Sequence, residues 1–573
     1  MKNLELARVL NQIADLLEIK EENPFRIRAY RKAAQNLEDI SSEDLEKLVR
    51  EDRLTEIPGI GHDLALKTKE FLSTGRIKLH QDLLKKTPAG FLELIAVPGV
   101  GPKTAKLLSE KLKIKDINQL ERYAAAHKIA GLPGLKQKTE ENIVKGIEFL
   151  KRTKERTPLA VAYYTANHAV AQLKKISGVG KISPAGSLRR MKETVRDIDI
   201  LVTSIHPKEV MDGFVNLSLV QEVLAHGATK ASIRSNEGIQ IDLRVVEPSS
   251  FGAALAYFTG SKEHNIKLRK MAVKKGLKVN EYGVFRVKSG RKIAGKTESG
   301  IYEIFGLPFI PPEMREDRGE IEAGLRGKLP GLIEMGNIKG DLHVHSDYSD
   351  GADSVEDIAR ACQKMGYQYI AICDHSQSLA IARGLSPKEL LKKIDRIKKL
   401  NKKLKKIRVL VGTEVDILGD GSLDYKDEIL KQLDFVIAAI HTGFKQTEKQ
   451  LTDRTVKAMK NRYVHAIAHP TGRLMEVRDA YKIDLEKIFK VAKDTNTALE
   501  ISAFPARLDL NDRACQRAKE NGVRLVISTD AHTISQLNNM FFGVSVAKRG
   551  WLEKKDILNT FSLEKFLKAI KHR

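Results

Sequence analysis

At 573 residues the chain has room for three or four domains of roughly 150 residues each, with cores that need no covalent staples. Cys362, Cys373 and Cys515 are too few and too scattered for a disulfide framework or a structural zinc cluster. No apolar run approaches the roughly 20 residues that cross a bilayer, and the charge-rich first thirty residues lack a signal-like stretch, so a cytoplasmic protein is expected. Residues 151–300 hold 27 Lys+Arg against 13 Asp+Glu, so +14 of the formal +25 falls in about a quarter of the chain, which points to a phosphate-rich polymer, DNA or RNA.

Three stretches in the first 150 residues look alike: "EIPGIGHDLALKTKEFL" from Glu56, "AVPGVGPKTAKLLSEKL" from Ala96 and "GLPGLKQKTEENIVKGI" from Gly131. Each reads as a helix end, a Pro-Gly turn and an amphipathic helix. Gly59 and Gly61, like Gly99 and Gly101, permit positive φ and uncover backbone N–H groups at a helix start, where a phosphate oxygen can be held. Lys103 and Lys106 add charge beside the second turn. These stretches resemble helix-hairpin-helix motifs, which grip the DNA backbone without reading sequence. The third has Lys136 in place of the second glycine, leaving a purely structural role open for it.

In "PAGSLRRMKETVRDIDILV" a strand period of two puts Asp197 and Asp199 on one face and Ile198, Ile200 and Val202 on the core side. Two carboxylates so placed can share divalent cations, and a metal pair suits phosphoryl transfer. Gly186 and Ser187 form a turn that can open onto a nucleotide's phosphates, with Arg190 in reach of the same charge. In "GIQIDLRVVE" Asp242 stands on the polar face of a second strand. It either completes the metal site and helps deprotonate a hydroxyl, or pairs with Arg244 as an ordinary exposed acid.

"AYFTGSKEHNIKLRKMAVKKGLKVNEYGVF", Ala256 to Phe285, joined to the Gly-Ser and D-x-D motif, closely resembles the family X DNA polymerases of the polymerase beta type over about residues 1–317. The resemblance implies that Asp197, Asp199 and Asp242 bind the catalytic metals, with Asp242 nearest the primer 3′-hydroxyl. It implies that Ser187 and Arg190 contact the triphosphate, and that Tyr257, Phe258 and Gly260 pack against the incoming sugar. Asn265 and Arg269 then face the nascent base pair and the template. Two departures stand out. Arg196 occupies the place of a usual glycine before the first metal aspartate. Lys67 falls where members with 5′-deoxyribose phosphate lyase activity carry their Schiff-base lysine, and Tyr30 and Arg26 could serve its pocket, but Asp63 stands where those members have a lysine. The expected role of Lys67 is therefore a solvated helix lysine.

Beyond Gly-rich residues 318–340, apolar runs stop repeatedly at ionisable residues: His343 and His345, Asp374 and His375, Glu414, His441, His469, Asp530 and His532. Helical stretches separate them. Such β/α alternation predicts a parallel barrel whose strand ends converge on one site. Imidazoles mixed with carboxylates suit Mn2+, Zn2+ or Fe2+ better than Mg2+ alone, and Glu414 could bridge two ions for phosphoester hydrolysis. Residues 338–573 resemble the polymerase and histidinol phosphatase (PHP) domain, a distorted (β/α)7 barrel with a trinuclear metal site. The resemblance assigns His343, His345, Asp350, His375, Glu414, His441, His469, Asp530 and His532 as its ligands.

The expected fold is multidomain, α+β and α/β: an N-terminal helical DNA-binding domain at 1–88, helix-hairpin-helix fingers at 89–150, a nucleotidyltransferase palm at 151–260, a thumb at 261–317, a linker at 318–337 and the PHP barrel at 338–573. Bacterial and archaeal family X polymerases have this order. The resemblance implies gap-filling repair synthesis with Mg2+ or Mn2+ in the palm, a 3′-5′ exonuclease with a cluster of up to three Mn2+, Zn2+ or Fe2+ ions in the barrel, and in some members abasic-site endonuclease and 3′-phosphatase activity. Expected partners are gapped or primed DNA and deoxynucleoside triphosphates, no membrane, and a monomeric state. Two rival readings are a barrel acting as a small-molecule phosphatase and a catalytically silent DNA-end scaffold.

Overall fold

One backbone turn recurs three times in the first 154 residues. The N–H groups of Ile60, Val100 and Leu135 donate to the carbonyls of Ile57, Val97 and Leu132 at 3.0, 2.9 and 3.0 Å. Gly59, Gly99 and Gly134 take the left-handed φ values of 77, 91 and 79° that each turn requires, a conformation costing other L-residues about 1–2 kcal/mol. Ile60 and Val100 are buried between the flanking glycines, which anchors each turn to the core. The computed structural model describes residues 2–20, 22–38, 42–57, 59–88, 90–97, 99–154 and 156–570; Pro58 and Pro98, the prolines of the first two hairpins, lie outside them.

The chain divides into two compact units, Met1–Lys154 with Glu476–Arg478, and Glu155–Met475 with Asp479–Arg573. The first is helical, with one core running from Leu6 to Ile147. Its last helix, Gln137–Lys154, continues through position 150, where sequence reading divides fingers from palm.

Among the described residues the second unit contains four sheets. Thr157–Pro158 (β1) pairs with Thr194–Val195 (β3). The palm sheet joins Val179–Pro184 (β2), Asp197–Ser204 (β4), Val220–His226 (β5), Lys230–Ser235 (β6) and Gln240–Val246 (β7) in the order β2-β4-β7-β6-β5. Only β4 and β7 run parallel in it. Ile198, Ile200, Val202, Ile241 and Leu243 alternate into the core with the helices Leu159–Leu173 and Pro207–Val215. The thumb adds a small antiparallel sheet of Leu277–Asn280 (β8), Gly283–Arg286 (β9) and Lys292–Ala294 (β10).

Seven parallel strands follow in sequence order: Gly340–Val344 (β11), Tyr369–Ile372 (β12), Arg408–Asp416 (β13), Phe435–Ala439 (β14), Ala466–Ile467 (β15), Ala498–Ser502 (β16) and Leu525–Ser528 (β17). A bridge from Val344 to Ala531 and a 2.8 Å bond from the His345 N–H to the Ala531 carbonyl bring β17 back to β11, nearly closing the barrel. The period of two sorts side chains between two cores. Leu342, Tyr369, Ala371, Leu410, Phe435 and Ile437 fill the inside, while Ile370, Ile372, Val409, Val411, Val436 and Ala438 face the helices. Phe566, stacked on Tyr369 at 5.0 Å, plugs the interior, so chemistry is confined to the strand C-terminal ends.

Two features depart from a chain of loosely joined domains. The outer core of the barrel is continuous with the palm core, a single cluster holding both Ile198 and Val344. The stretch 318–337 is packed: Glu320 is fully buried against His264 at 2.6 Å and accepts the Asp317 and Arg318 N–H groups, and the Ile333 N–H bonds the Leu552 carbonyl. The three cysteines are buried and unpaired.

Candidate active sites

Parallel pairing of β4 and β7 sets Asp199 opposite Asp242, with Asp197 one strand repeat earlier on the same face. All three are half-buried, Asp199 and Asp242 each between fully buried neighbours. Gln240 Nε2 donates to Asp242 Oδ1 at 2.8 Å, and Lys230 Nζ lies 3.5 Å from its Oδ2. Burial and the charges of Asp197 and Asp242 push Asp199 up to about 6. Asp199, crowded by two further carboxylates, marks a site short of positive charge. Arg196 is exposed, and Asp197 still pairs in register with Gln240, so this departure leaves the acid strand intact.

The Gly-Ser turn lies directly on these acids. Ala185 N–H donates to the Asp199 carbonyl at 2.8 Å, and a Cβ on Gly186 would stand 2.6 Å from Asp199 Oδ2. Gly186 has φ 62°, so both space and backbone call for glycine. Ser187 is half-buried in the following turn. Arg190 is no open arm: Nη1 donates to the Thr259 carbonyl at 2.5 Å and Nε to Glu316 at 3.0 Å, leaving the side chain 11% exposed. Arg189 forks onto Glu298 at 2.8 and 2.6 Å and bonds Thr259 Oγ1. Both arginines thus tie the turn to the YFTGS segment.

That segment ends the helix Phe251–Thr259, and Gly260, at φ 70°, turns the chain into Lys262–Lys274. Asn265 Nδ2 donates to the Tyr257 carbonyl at 2.7 Å, and Tyr257, Asn265 and Arg269 line one cleft with Ala256, Leu268 and Ile301. Phe258 instead packs beneath Arg244, 4.6 Å from its ring centre.

In the barrel the nine sequence-assigned ligands converge. Three overlapping groups have ligand atoms within 4.8 Å of one another: His345, Asp350, His375 and His532; His343, His345 and Asp530; His375, Glu414 and His441. Glu414 is the hub, with His375 and His469 at 2.9 Å, His441 at 3.3 Å, His343 at 3.5 Å and His345 at 3.7 Å. Burial alone would raise its carboxyl, yet His441, His343 and His375 hold it well below the ordinary range. Burial and the rings of His532 and His375 push His345 down to about 4. His469 and Asp530 have φ 27 and 52°, so each turns sharply where its strand ends.

Sequence reading missed the groups that hold these ligands. Glu500 accepts from His343 Nδ1 at 2.9 Å and from the His469 N–H at 2.7 Å; Asp416 faces His441 Nδ1 at 2.8 Å. Each fixes a ring so that its other nitrogen faces the cluster. Their signal was an acid within the apolar strand "ALEIS" and one ending the strand "GTEVD", alongside more conspicuous histidines. Asp374, a strand ending too, faces away: Ser346, Ser349 and the fully buried Lys393 surround it. Arg507, 3.4 Å from Asp530, adds a cation beside the cluster.

In the helical unit Gly61 and Gly101 are N-caps without side-chain caps, and nothing lies within 4 Å of where a Cβ would project. Lys103 is exposed and Lys106 half-buried; Lys136, at the third turn, is exposed. Lys67 is less solvated than expected, 15% exposed and ion-paired with Asp63.

The chain resembles a known polymerase along nearly its whole length. It is 41% identical over 573 residues, 99% of this chain and 100% of the other, to the DNA polymerase/3′-5′ exonuclease PolX of Bacillus subtilis (strain 168). The chain belongs to the family X DNA polymerases that carry a C-terminal PHP domain. Residues 254–316 match the DNA polymerase beta thumb, 1–77 a helix-hairpin-helix domain, 91–148 a SAM-like helix-hairpin-helix tandem and 341–503 the PHP domain. Rat DNA polymerase lambda is 27% identical over 293 residues, 45% of this chain and 48% of its own. A probable phosphatase of Thermoanaerobacter sp. (strain X514) is 30% identical over 246 residues, 41% of this chain and 96% of its own. Among the described residues no helix is long and apolar enough to cross a membrane.

Proposed function

We propose that the protein fills short gaps in DNA by nucleotidyl transfer in the palm and trims DNA 3′ ends by hydrolysis in the barrel. The observation that carries this reading is the paired Asp199 and Asp242 beneath Gly186, on the same chain as the barrel cluster of eight ligating groups that His469 joins at Glu414. Both donor sets fit divalent ions: oxygen-only in the palm, as Mg2+ or Mn2+ prefers, and imidazole with carboxylate in the barrel, as Mn2+, Zn2+ or Fe2+ prefers. His345 Nδ1 is buried without a hydrogen-bond partner, and His375 Nδ1 faces Glu414 Oε2 at 2.9 Å without the alignment of a hydrogen bond, as ligand atoms of one cation would. Bound there, such ions would neutralise phosphate charge and activate a hydroxyl in the palm or water in the barrel.

The chain's own residues supply the rest. Asp242 accepts the primer 3′-hydroxyl proton, Asp197 and Asp199 hold the triphosphate's counterions, and Ser187 with Arg190 directs the phosphates. Tyr257 and Gly260 exclude a 2′-hydroxyl, while Asn265 and Arg269 test the base pair. In the barrel Arg507 orients the scissile phosphate beside Asp530. The open glycine caps of the helical unit, with Lys103 and Lys106, hold duplex backbone. A 5′-labelled primer on a gapped template tests both activities: extension with nucleotides and shortening without them, in Mg2+ or Mn2+. A protein that does neither rules the reading out.

A second reading of the barrel, as a phosphomonoesterase, is favoured by the probable phosphatase that matches it over nearly its full length. Rates on a 3′-hydroxyl DNA end, a 3′-phosphate DNA end and a small phosphomonoester separate the two.

A further inference from the structure

The palm loop from Gly186 to Asp199 is held from outside the palm. Arg549, the last residue of the barrel helix Met540–Arg549, has a side chain 4% exposed and reaches it with both terminal guanidinium nitrogens engaged. Nη1 donates to the Arg190 carbonyl at 2.6 Å and to Glu316 Oε1 at 3.0 Å. That same oxygen accepts from Arg190 Nε at 3.0 Å. Nη2 donates to Asp512 Oδ2 at 2.7 Å, an atom Arg318 also reaches at 2.9 Å. Arg549 therefore fixes Arg190 at both ends, its main chain directly and its guanidinium through Glu316. Three residues on, the barrel's Arg473 pairs with Glu193 at 2.8 Å.

The helix bearing Arg549 cannot drift from the palm. Phe541 and Phe542 pack on Tyr163 at centroid distances of 5.1 and 5.7 Å, and at the other end of the same helix the Arg549 side chain is desolvated. Charge bonds so enclosed are stiffer than surface pairs, because no water can take over a released partner. A displacement of about 1 Å at a substrate-directing group can cost as much as a hundredfold in rate.

We propose that Arg549, although it belongs to the barrel, is a positioning residue for nucleotide binding in the palm and acts through Arg190. The inference rests on the palm being a nucleotidyl-transfer site. It makes the barrel part of the polymerase's substrate-binding apparatus, independent of the hydrolytic cluster.

Steady-state gap filling by the full-length protein tests this, with 3′ trimming and thermal melting measured on the same samples. Arg549→Ala is expected to raise KM for the incoming nucleotide about tenfold or more, to change kcat less, and to leave trimming at the wild-type rate. Arg549→Lys, which keeps the charge but offers no planar fork, should fall between the two and serves if the alanine variant does not fold. In an Arg190→Ala background the substitution at 549 should add little, because both act through one group. An unchanged KM, an equal penalty in the Arg190→Ala background, or a parallel loss of trimming each overturns the inference. Wild-type protein that extends no primer overturns the palm reading, and this inference with it.

Discussion

The palm and the barrel place acidic side chains at strand ends in opposite ways. The palm offers three half-buried carboxylates on two strands, pressed together so that Asp199 is pushed up to about 6. The barrel brings nine groups from successive strand ends into a buried site where carboxylates and imidazoles pair, Glu414 with five rings. On the proposed reading, substrate phosphates with their cations would complete the first site; the second is assembled beforehand and braced by Glu500 and Asp416. An open acid pair suits a nucleotide that must enter and leave each cycle, whereas a braced cluster suits a hydrolase that keeps its ions.

The sharpest way to break this contrast is to disable each site alone. Asp242→Asn should abolish extension, by on the order of 10⁴-fold, and spare trimming, while His343→Ala should do the reverse; either variant losing both activities ends the two-site account. Glu500→Gln tests the bracing, with barrel metal affinity and trimming expected to fall about 10- to 100-fold at unchanged extension. Its palm counterpart concerns stability. Burial, with Asp197 and Asp242, raises folded Asp199 from 3.8 to about 6, so the folded state holds a proton the unfolded state releases, and stability is lost as pH rises from about 4 through 6. Asp199→Asn removes that loss, so in chelator at pH 8 the variant should be more stable by up to about 3 kcal/mol, a difference that vanishes below pH 4. A variant melting at or below wild type at pH 8 contradicts the crowding. The smallest effect concerns neither site: Lys103→Gln should weaken duplex binding several-fold and lower the salt slope by about 1, whatever the DNA sequence, and a sequence-dependent loss would point to base contact.

What could be read from the sequence was whatever a strand period or a short spacing encodes. Asp197 and Asp199 alternate with Ile198 and Ile200, and the barrel ligands follow apolar runs, so their faces were legible. That Asp199 pairs with Asp242 depends on β4 and β7 being parallel neighbours, which neither strand specifies alone. Glu500 and Asp374 illustrate the limit: one acid sits within an apolar strand and the other just after one, yet one supports His343 and the other serves Lys393, because the choice depends on which neighbour the barrel brings alongside. Arg190 was legible as a cation near phosphates, but its carbonyl contact with Arg549 spans 359 positions. The expected linker at 318–337 meets the same limit, since its glycines gave no hint that Glu320 would be buried under His264.

The hydrophobic cluster that contains both Ile198 and Val344 has a calorimetric consequence. Elements that share one core do not melt separately, so palm and barrel should lose their structure in one cooperative step. The helical first unit, with its own core from Leu6 to Ile147, is free to give a second. A chain that carries at least four matched family segments would then register two heat-absorption peaks, and the larger would belong to two enzymes at once.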